Sequence, residues 1–404
     1  MDESFKDIPI SDLTITLDVR TVDGRRLHSS GIEYSAPLAL ALYGIWALKQ
    51  GIAVGILDLA GEQGPAPYDD CYRIMIATDE RAMWGRKCPH CNGYWRTAGA
   101  GLSGTNVCCY CGKHSEAFKC LSDAQQAYVE ACCILYTQII EDGKDGRCSI
   151  KISDLIAQAM ASEDGQAAAP PEFFVESQRQ TRFTCEACDN LNDVLGRFAW
   201  CSSCGTRNDG EMLRQDIVTI KAALIANGSP VSALKEAVDA FDAVGRNLAR
   251  QLVAYVPMTK TRREKWEKAN FQQVEITARN LKADFDIDIL DKMGPEAIAE
   301  IRLRFHRRHL HAHRGGVVDR KYVEDTGDST VQVGQLVTES RDTILAFLPT
   351  VLKIGDNLLK GFHSVIPVKD GPIRHHREKT ARMERYAKEH ARGPTQPGGA
   401  TPSG

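Results

Sequence analysis

The apolar and polar residues of this chain follow two different patterns, which change near residue 209. Before that point, alternating apolar positions over 13–22 predict a strand, and Asp23-Gly24 predicts a hairpin turn. Short apolar runs over 53–57 and 72–77 predict two more strands, whereas the longer run over 35–49 predicts a helix. A second helix is predicted over 122–141, because Ser122 and Gln125 form a capping-box pattern. The pattern therefore indicates a small α+β unit.

After residue 209, apolar side chains recur every three or four positions, which predicts helices. Asn227-Gly228 ends one helix, Ser229-Pro230 begins the next, and Gly294-Pro295 begins a later one. A last long helix is predicted over 331–362. Pro349 should kink or interrupt it, because proline lacks a backbone N–H. The fold class is thus a multidomain α+β protein with a C-terminal, all-α helical bundle.

Changes in composition predict six segments along the chain. They are a small α/β unit of unknown role (1–87), a cysteine module with a helix (88–160), a linker rich in Ala and Pro (161–182), a second cysteine module (183–208), the helical bundle (209–366) and a basic, partly disordered tail (367–404).

Eight of the 14 cysteines lie in C-x2-C pairs. Two such pairs can hold one Zn²⁺ in a tetrahedron of thiolates, so the spacing predicts two zinc ribbons. Four thiolates leave no open position for water, so both zinc ions are expected to be structural and not catalytic. Neighbouring Cys109, Cys120, His90 and His114 leave the individual ligands open. The predicted ligands are Cys88, Cys91, Cys108 and Cys111 in one site, and Cys185, Cys188, Cys201 and Cys204 in the other.

Charge and targeting features favour a cytoplasmic protein without a membrane segment. The formal net charge is −3, and the first residues are acidic, with no apolar signal segment after them. Tyr43, Gly44, Lys49 and Gln50 interrupt the most apolar run, so a membrane span is not expected. Cysteines in close pairs are typical of metal sites in a reducing compartment.

The stretch 305–314 carries three arginines and four histidines and is followed by Gly315-Gly316. Imidazole exchanges protons near neutral pH, and guanidinium is a fixed cation suited to phosphate. Residues 300–322 also carry seven Lys and Arg side chains against two acidic ones, Glu300 and Asp319. The sequence therefore predicts an active or binding centre here.

Within this stretch, residues 308–313 (Arg-His-Leu-His-Ala-His) resemble the R-[N/D/H]-x3-H motif of HEPN domains. The surrounding helices over about 210–366 and the segment 315–322 add to the resemblance. It implies a dimeric, metal-independent endoribonuclease that leaves a 2′,3′-cyclic phosphate and needs no catalytic cofactor. His313 and Arg308 would be the catalytic pair, with His309 orienting them. The resemblance also implies toxin–antitoxin or antiviral defence, with RNA as substrate and a protein trigger or antitoxin as partner. The ribbons would recognise RNA, DNA or that protein.

Helix geometry qualifies this hypothesis. Positions 308 and 313 lie about 140° apart on a regular helix, whereas 309 and 313 nearly align. Arg308 and His313 therefore converge only where the helix distorts, or where a second copy completes the pocket, which predicts a homodimer. The other Arg and His side chains are expected to hold the RNA backbone or face solvent. Two alternatives stay open, a histidine metal site and a non-catalytic adaptor that uses the bundle for dimerisation.

Overall fold

A computed structural model describes residues 14–33, 42–57, 66–78, 83–98, 105–142, 144–155 and 180–390. Within them the chain is a mixed α/β protein whose C-terminal region is helical. The chain divides into two compact units, Arg207–Val368 and the residues on either side of it, up to Thr206 and from Lys369 onwards. Most of the predicted linker, 161–179, and the tail beyond His390 lie outside the described residues.

The first sheet of the chain is built on a tight hairpin. Strands β1 (Thr14–Val22) and β2 (Arg25–Glu33) are antiparallel, and β10 (Gly146–Lys151) pairs with the other edge of β1. Asp23 and Gly24 between them have φ of 49° and 74°. Two successive positive φ values are what a two-residue hairpin turn needs. The predicted strand and turn are confirmed.

A second antiparallel sheet has the order β4-β3-β5, from β3 (Leu42–Leu48), β4 (Ala53–Leu57) and β5 (Cys71–Ala77). The predicted strands at β4 and β5 are confirmed, but the helix predicted over 35–49 is wrong for its described part. Residues 35–41 lie outside the described residues. An apolar run of this length fits a central strand or a buried helix equally well, and pairing with both neighbours decides for the strand.

Helix α1 (Asp123–Glu141) covers these sheets. Its capping box is present, with Gln125 N–H donating to Ser122 Oγ over 3.3 Å and Ser122 N–H donating to Gln125 Oε1 over 3.1 Å. The buried face of α1, including Tyr128 and Cys132, joins the core formed by β1, β3, β5 and β10. The helix that the sequence pattern groups with the first cysteine module thus packs on the N-terminal strands.

A four-stranded antiparallel sheet joins the two cysteine modules. Its order is β11-β12-β7-β6, from β6 (Met83–Lys87), β7 (Tyr94–Ala98), β11 (Gln180–Thr184) and β12 (Leu191–Leu195). In the central pairing Arg96 lies opposite Asp193, and each stands eight positions after the first cysteine of its module. The modules therefore meet in a symmetric register.

The second cysteine pairs of the two modules also meet symmetrically. The first module adds a short hairpin, β8 (Thr105–Val107) and β9 (His114–Glu116), and a 3₁₀ helix, Ala117–Cys120. Val107 N–H donates to Ser202 O over 2.8 Å, and Trp200 N–H donates to Cys109 O over 2.9 Å. Each bond joins the residue before a cysteine to the residue after its counterpart. Two sets of backbone bonds thus hold the modules together.

The other unit is helical. It contains α2 (Asp209–Ile225), α3 (Pro230–Tyr255), α4 (Lys260–Glu267), α5 (Val274–Phe285), α6 (Pro295–His313), α7 (Arg320–Thr326) and α8 (Arg341–Val365). Ser229 caps α3 and Pro230 is its first residue, as the sequence predicts. A chain of edge-to-face rings, Phe241–Phe305–Phe347, with centroids 6.0 and 6.4 Å apart, fixes α6 against α3 and α8.

Helix α8 differs from its prediction at two points. It begins at Arg341, where Ser340 Oγ accepts from Thr343 N–H over 3.2 Å, and not near residue 331. It also continues through Pro349, so the predicted interruption there is wrong. Buried Phe347 and Val351 on either side of the proline pack into the core, and this packing offsets the missing hydrogen bond. Beyond α8, a further helix, α9 (Asp370–His390), lies within the predicted basic tail.

Candidate functional site

All four C-x2-C pairs form the same backbone turn. The first cysteine donates its N–H to the carbonyl five residues later, and its own carbonyl accepts from the residue four positions later. The residue four positions after the first cysteine has a positive φ in every turn, a conformation that Gly, Asn and Asp adopt at least cost. In the sequence, Gly112 and Gly205 indicate this turn. Asn92 and Asp189 occupy the equivalent positions and are residue types that also tolerate a positive φ, a signal that sequence reasoning missed.

The eight predicted cysteines gather into two clusters. In each, the four sulfur atoms lie within 4.8 Å of one another. The Sγ–Sγ distance is 3.7 Å from Cys88 to Cys111 and 3.6 Å from Cys185 to Cys204. A tetrahedral ion with bonds of about 2.3 Å needs sulfur atoms roughly 3.8 Å apart. The donors therefore fit a tetrahedral metal ion, and both predicted cysteine sets are confirmed as groups able to hold one.

Nearby donors favour the thiolate form at some of the cysteines, whereas burial raises the pKa of others, in the case of Cys111 to about 11. Burial also acts to raise the pKa of the Cys88 thiol, but the N–H groups of His90 and Cys91 together with the neighbouring thiols outweigh it, so this pKa lies below its usual value. His90 N–H reaches Cys88 Sγ over 3.4 Å. In the second cluster, Asn192 Nδ2 donates to Cys201 Sγ over 3.7 Å. Such neighbours orient the ligands and favour their charged form.

Helix α6 carries the Arg/His stretch and stays regular to His313. Gly315 and Gly316 end it with φ of 60° and 84°, and Gly316 N–H donates to Leu310 O over 3.1 Å. This closure satisfies a terminal carbonyl. Because the helix does not distort, Arg308 and His313 project from different faces. Within one chain, the structure does not bring this predicted pair together.

One face of α6 is occupied by a buried ion network. Glu339, whose side chain is fully buried, lies 2.5 Å from Arg304 Nη1, 3.6 Å from Arg307 Nη1 and 3.5 Å from His311 Nε2. Arg307 also pairs with Asp328 over 3.1 Å. The expectation that Arg307 and His311 contact RNA or solvent is therefore wrong. Both side chains anchor the segment after α7 to α6.

Two further side chains of the stretch have partners on other helices. Arg308 is buried and its Nη2 bonds to Asp239 on α3, so Arg308 ties α6 to α3. His306 Nε2 lies 3.7 Å from Glu275 on α5. Arg314 Nε, beyond the helix, lies 3.7 Å from Asp319. These contacts leave two of the four histidines as exposed reactive candidates.

His309 and His313 form that exposed pair. Their ring centroids are 4.7 Å apart, as their spacing on a helix predicts. Burial, followed by the positive fields of His313, His306 and Arg308, lowers the pKa of His309, while Asp319 raises it. His309 is thus neutral near pH 7, the form that accepts a proton. Among the described residues, neither histidine belongs to a cluster of three or more metal-ligand side chains.

A cavity of about 380 Å³ opens beside His309. It lies between the start of α5, the middle of α6 and α7, and His306 and His309 form part of its wall. Half of its lining comes from residues 305–310 and 319–322, within the segments that the sequence singles out, and the other half, residues 272–279 and Asp325, carries no sequence motif. Besides the two histidines the lining comprises Gln272, Gln273, Val274, Glu275, Ile276, Arg279, Phe305, Leu310, Asp319, Lys321, Tyr322 and Asp325.

Among the described helices, none combines the length and apolar character that crossing a membrane requires. No protein-family model matches the chain, and no curated protein or solved structure is significantly similar to it. The resemblance to HEPN domains therefore remains a sequence-based prediction. The described residues thus provide two cysteine clusters and a histidine pair beside the cavity.

Proposed function

We propose that this protein is a metal-independent endoribonuclease of the HEPN type, with two structural zinc ions. One observation carries the proposal. His309 and His313 stand exposed side by side at the end of α6, and their helix also carries Arg308 and opens onto a cavity. Paired imidazoles can pass protons to and from a reacting phosphodiester.

In this mechanism a neutral imidazole of the pair takes the proton from an RNA 2′-hydroxyl. The 2′-oxygen forms a bond to the adjacent phosphorus, and the bond from phosphorus to the 5′-oxygen breaks. The leaving 5′-oxygen takes up the proton that the imidazole accepted, and a 2′,3′-cyclic phosphate remains. We assign the main proton transfer to His313. His309 assists it, and the lowered pKa of His309 favours its neutral form, which can accept a proton.

Arg308 is assigned to the phosphate oxygens, where a guanidinium can donate two parallel hydrogen bonds. Its Asp239 contact and its position on another face of α6 separate it from His313 within one chain. A homodimer with a two-fold axis at this face would bring Arg308 of one copy towards His313 of the other, where Arg308 exchanges its Asp239 contact for the phosphate. We therefore propose that the working enzyme is a homodimer.

The two cysteine clusters are assigned to zinc, since four thiolates in a tetrahedron are typical of structural zinc sites. Zinc there would hold the turns of the four-stranded sheet in place and take no part in cleavage. Cytoplasmic location, recognition of RNA, DNA or a protein trigger by this sheet, and a role in toxin–antitoxin or antiviral defence belong to the same proposal.

The test is cleavage of labelled RNA in magnesium-free buffer with EDTA, using protein whose zinc content is measured before and after. Wild type should leave 2′,3′-cyclic ends, and His313→Ala or Arg308→Lys should lower the rate roughly 10²-fold or more. His375→Ala, which removes an exposed histidine of α9, is the matched control and should cleave normally. No cleavage by wild type on RNAs of varied sequence would favour the non-catalytic adaptor. Light scattering that detects only monomers would refute the shared pocket.

A further inference from the structure

The cavity beside His309 has the size and composition of a small-molecule site. Its volume of about 380 Å³ falls in the range of about 300–1,000 Å³ that such sites usually have. Part of the wall is apolar, from Val274, Ile276, Phe305 and Leu310. The rest carries amides and carboxylates. A flat ring with a polar edge matches a wall of this kind.

The charges of the cavity argue against a phosphate inside it. Three carboxylates line it, Glu275, Asp319 and Asp325, against two fixed cations, Arg279 and Lys321, so the fixed charge of the lining is net negative. Lys321 is already paired with Asp325 over 3.4 Å, whereas Arg302, outside the lining, offsets part of the charge of Glu275 at 2.5 Å. The carboxylates would repel a phosphate anion placed inside the cavity. A neutral base avoids this repulsion, and the phosphate would stay outside, next to the exposed histidines.

The hydrogen-bonding groups indicate which bases fit. An ionised carboxylate only accepts hydrogen bonds. Adenine, guanine and cytosine each present an exocyclic amino group that donates to such an acceptor, as cytosine N4 does to Glu or Asp. Uracil has no exocyclic amino group, and its N3–H donor lies between two carbonyl oxygens that a carboxylate repels. A lining rich in carboxylates would therefore favour amino-bearing bases over uracil.

We propose that this cavity binds the base of the nucleotide next to the cleaved phosphate, and that Glu275 and Asp325 select a base with an exocyclic amino group. The inference rests on the proposed ribonuclease function for its biological meaning. Its physical content, recognition of a base by the cavity, is independent of whether the chain cleaves RNA.

The direct test is calorimetric titration of the full-length protein with AMP, GMP, CMP and UMP, which share the same phosphate. The three amino-bearing nucleotides should bind at least about fivefold more tightly than UMP, since one correctly paired base edge discriminates by about 5- to 160-fold. Equal affinity for all four, or binding of none, would overturn the proposal.

Two variants locate the binding. Ile276→Trp fills the cavity from a half-exposed position and should abolish binding, whereas Ile225→Trp, at a similarly exposed position on α2, should leave it unchanged. Glu275→Gln provides an amide donor for uracil O4 and should shift the preference toward UMP; a general loss for all four would contradict base selection. Nucleotide binding without RNA cleavage would refute the nuclease and leave this site intact.

Discussion

Replacement of Glu339 by glutamine tests the buried network that fixes α6. Glu339 is fully buried in its side chain and faces Arg304, Arg307 and His311 at once. Glutamine has nearly the same shape but no charge. The substitution therefore removes the carboxylate that Arg304 and Arg307 share, leaving Glu300 for Arg304 and Asp328 for Arg307, and it creates no cavity.

The expected cost follows from burial. Removing one partner of a buried ion pair typically destabilises a protein by about 3–5 kcal/mol, because the remaining charge stays out of water. Arg304 also pairs with Glu300 over 2.6 Å, but Glu300 is about one-third exposed. Loss of such an exposed carboxylate costs about 0–1 kcal/mol. Glu300→Gln is thus a matched control on the same arginine.

Hydrogen exchange measured by mass spectrometry is the appropriate assay, because it resolves the amides of α6 from those of the other unit. A loss of 3–5 kcal/mol corresponds to exchange faster by roughly a hundredfold to a few thousandfold in Glu339→Gln. In Glu300→Gln the change should stay below about tenfold. Similar effects of the two substitutions would show that burial of Glu339 does not determine its contribution, and would refute this account of the network.

Metal analysis should find about two zinc ions per chain, and Cys185→Ser should weaken binding at both clusters because they share one sheet; a metal content near zero would contradict the assignment. NMR titration should give His309 a pKa below its usual 6.5, and His313→Gln should raise it toward that value. A lowered pKa means that the unfolded chain binds a proton at His309 more readily than the folded chain does. The free energy of unfolding should therefore decrease as the pH falls below about 6.5. An unshifted pKa of His309 would rule out this pH dependence. Gly245→Ala should lower the free energy of unfolding by about 1–3 kcal/mol, because its Cβ would overlap the buried ring of Phe271; chemical denaturation measures this, and a neutral effect would mean that the ring has room to move.

Features determined by neighbours in sequence could be predicted here. The Asp23-Gly24 turn, the cap at Ser122 and the cysteine turns each depend on a few adjacent residues, and all are found in the structure. Leu42–Leu48 is different. Its apolar run is compatible with two structures, and only its pairing with strands on both sides selects the strand.

Partners that are distant in sequence could not be predicted. Arg307 and His311 look like free surface groups until Glu339, which the sequence pattern assigns to the last long helix, is found before that helix and between them. The same holds for the cavity, whose walls come from three helices. For the candidate site, sequence spacing correctly aligned His309 with His313. It could not indicate that Arg308 is held by Asp239 on α3.

The symmetric register between the two cysteine modules also bears on the origin of the chain. Arg96 lies opposite Asp193 at equivalent positions of the two modules. Residues 107–109 likewise bond to residues 200–202, with the residue before each cysteine bonded to the residue after its counterpart. Identical subunits adopt such a register about a two-fold axis. A tandem duplication of an ancestral module that once assembled as a homodimer would leave this arrangement, with the former subunit interface now inside one polypeptide. Such a duplication would also place Gly112 and Gly205 at matching turns, and it would leave Cys109 and Ser202 at matching positions with different side chains.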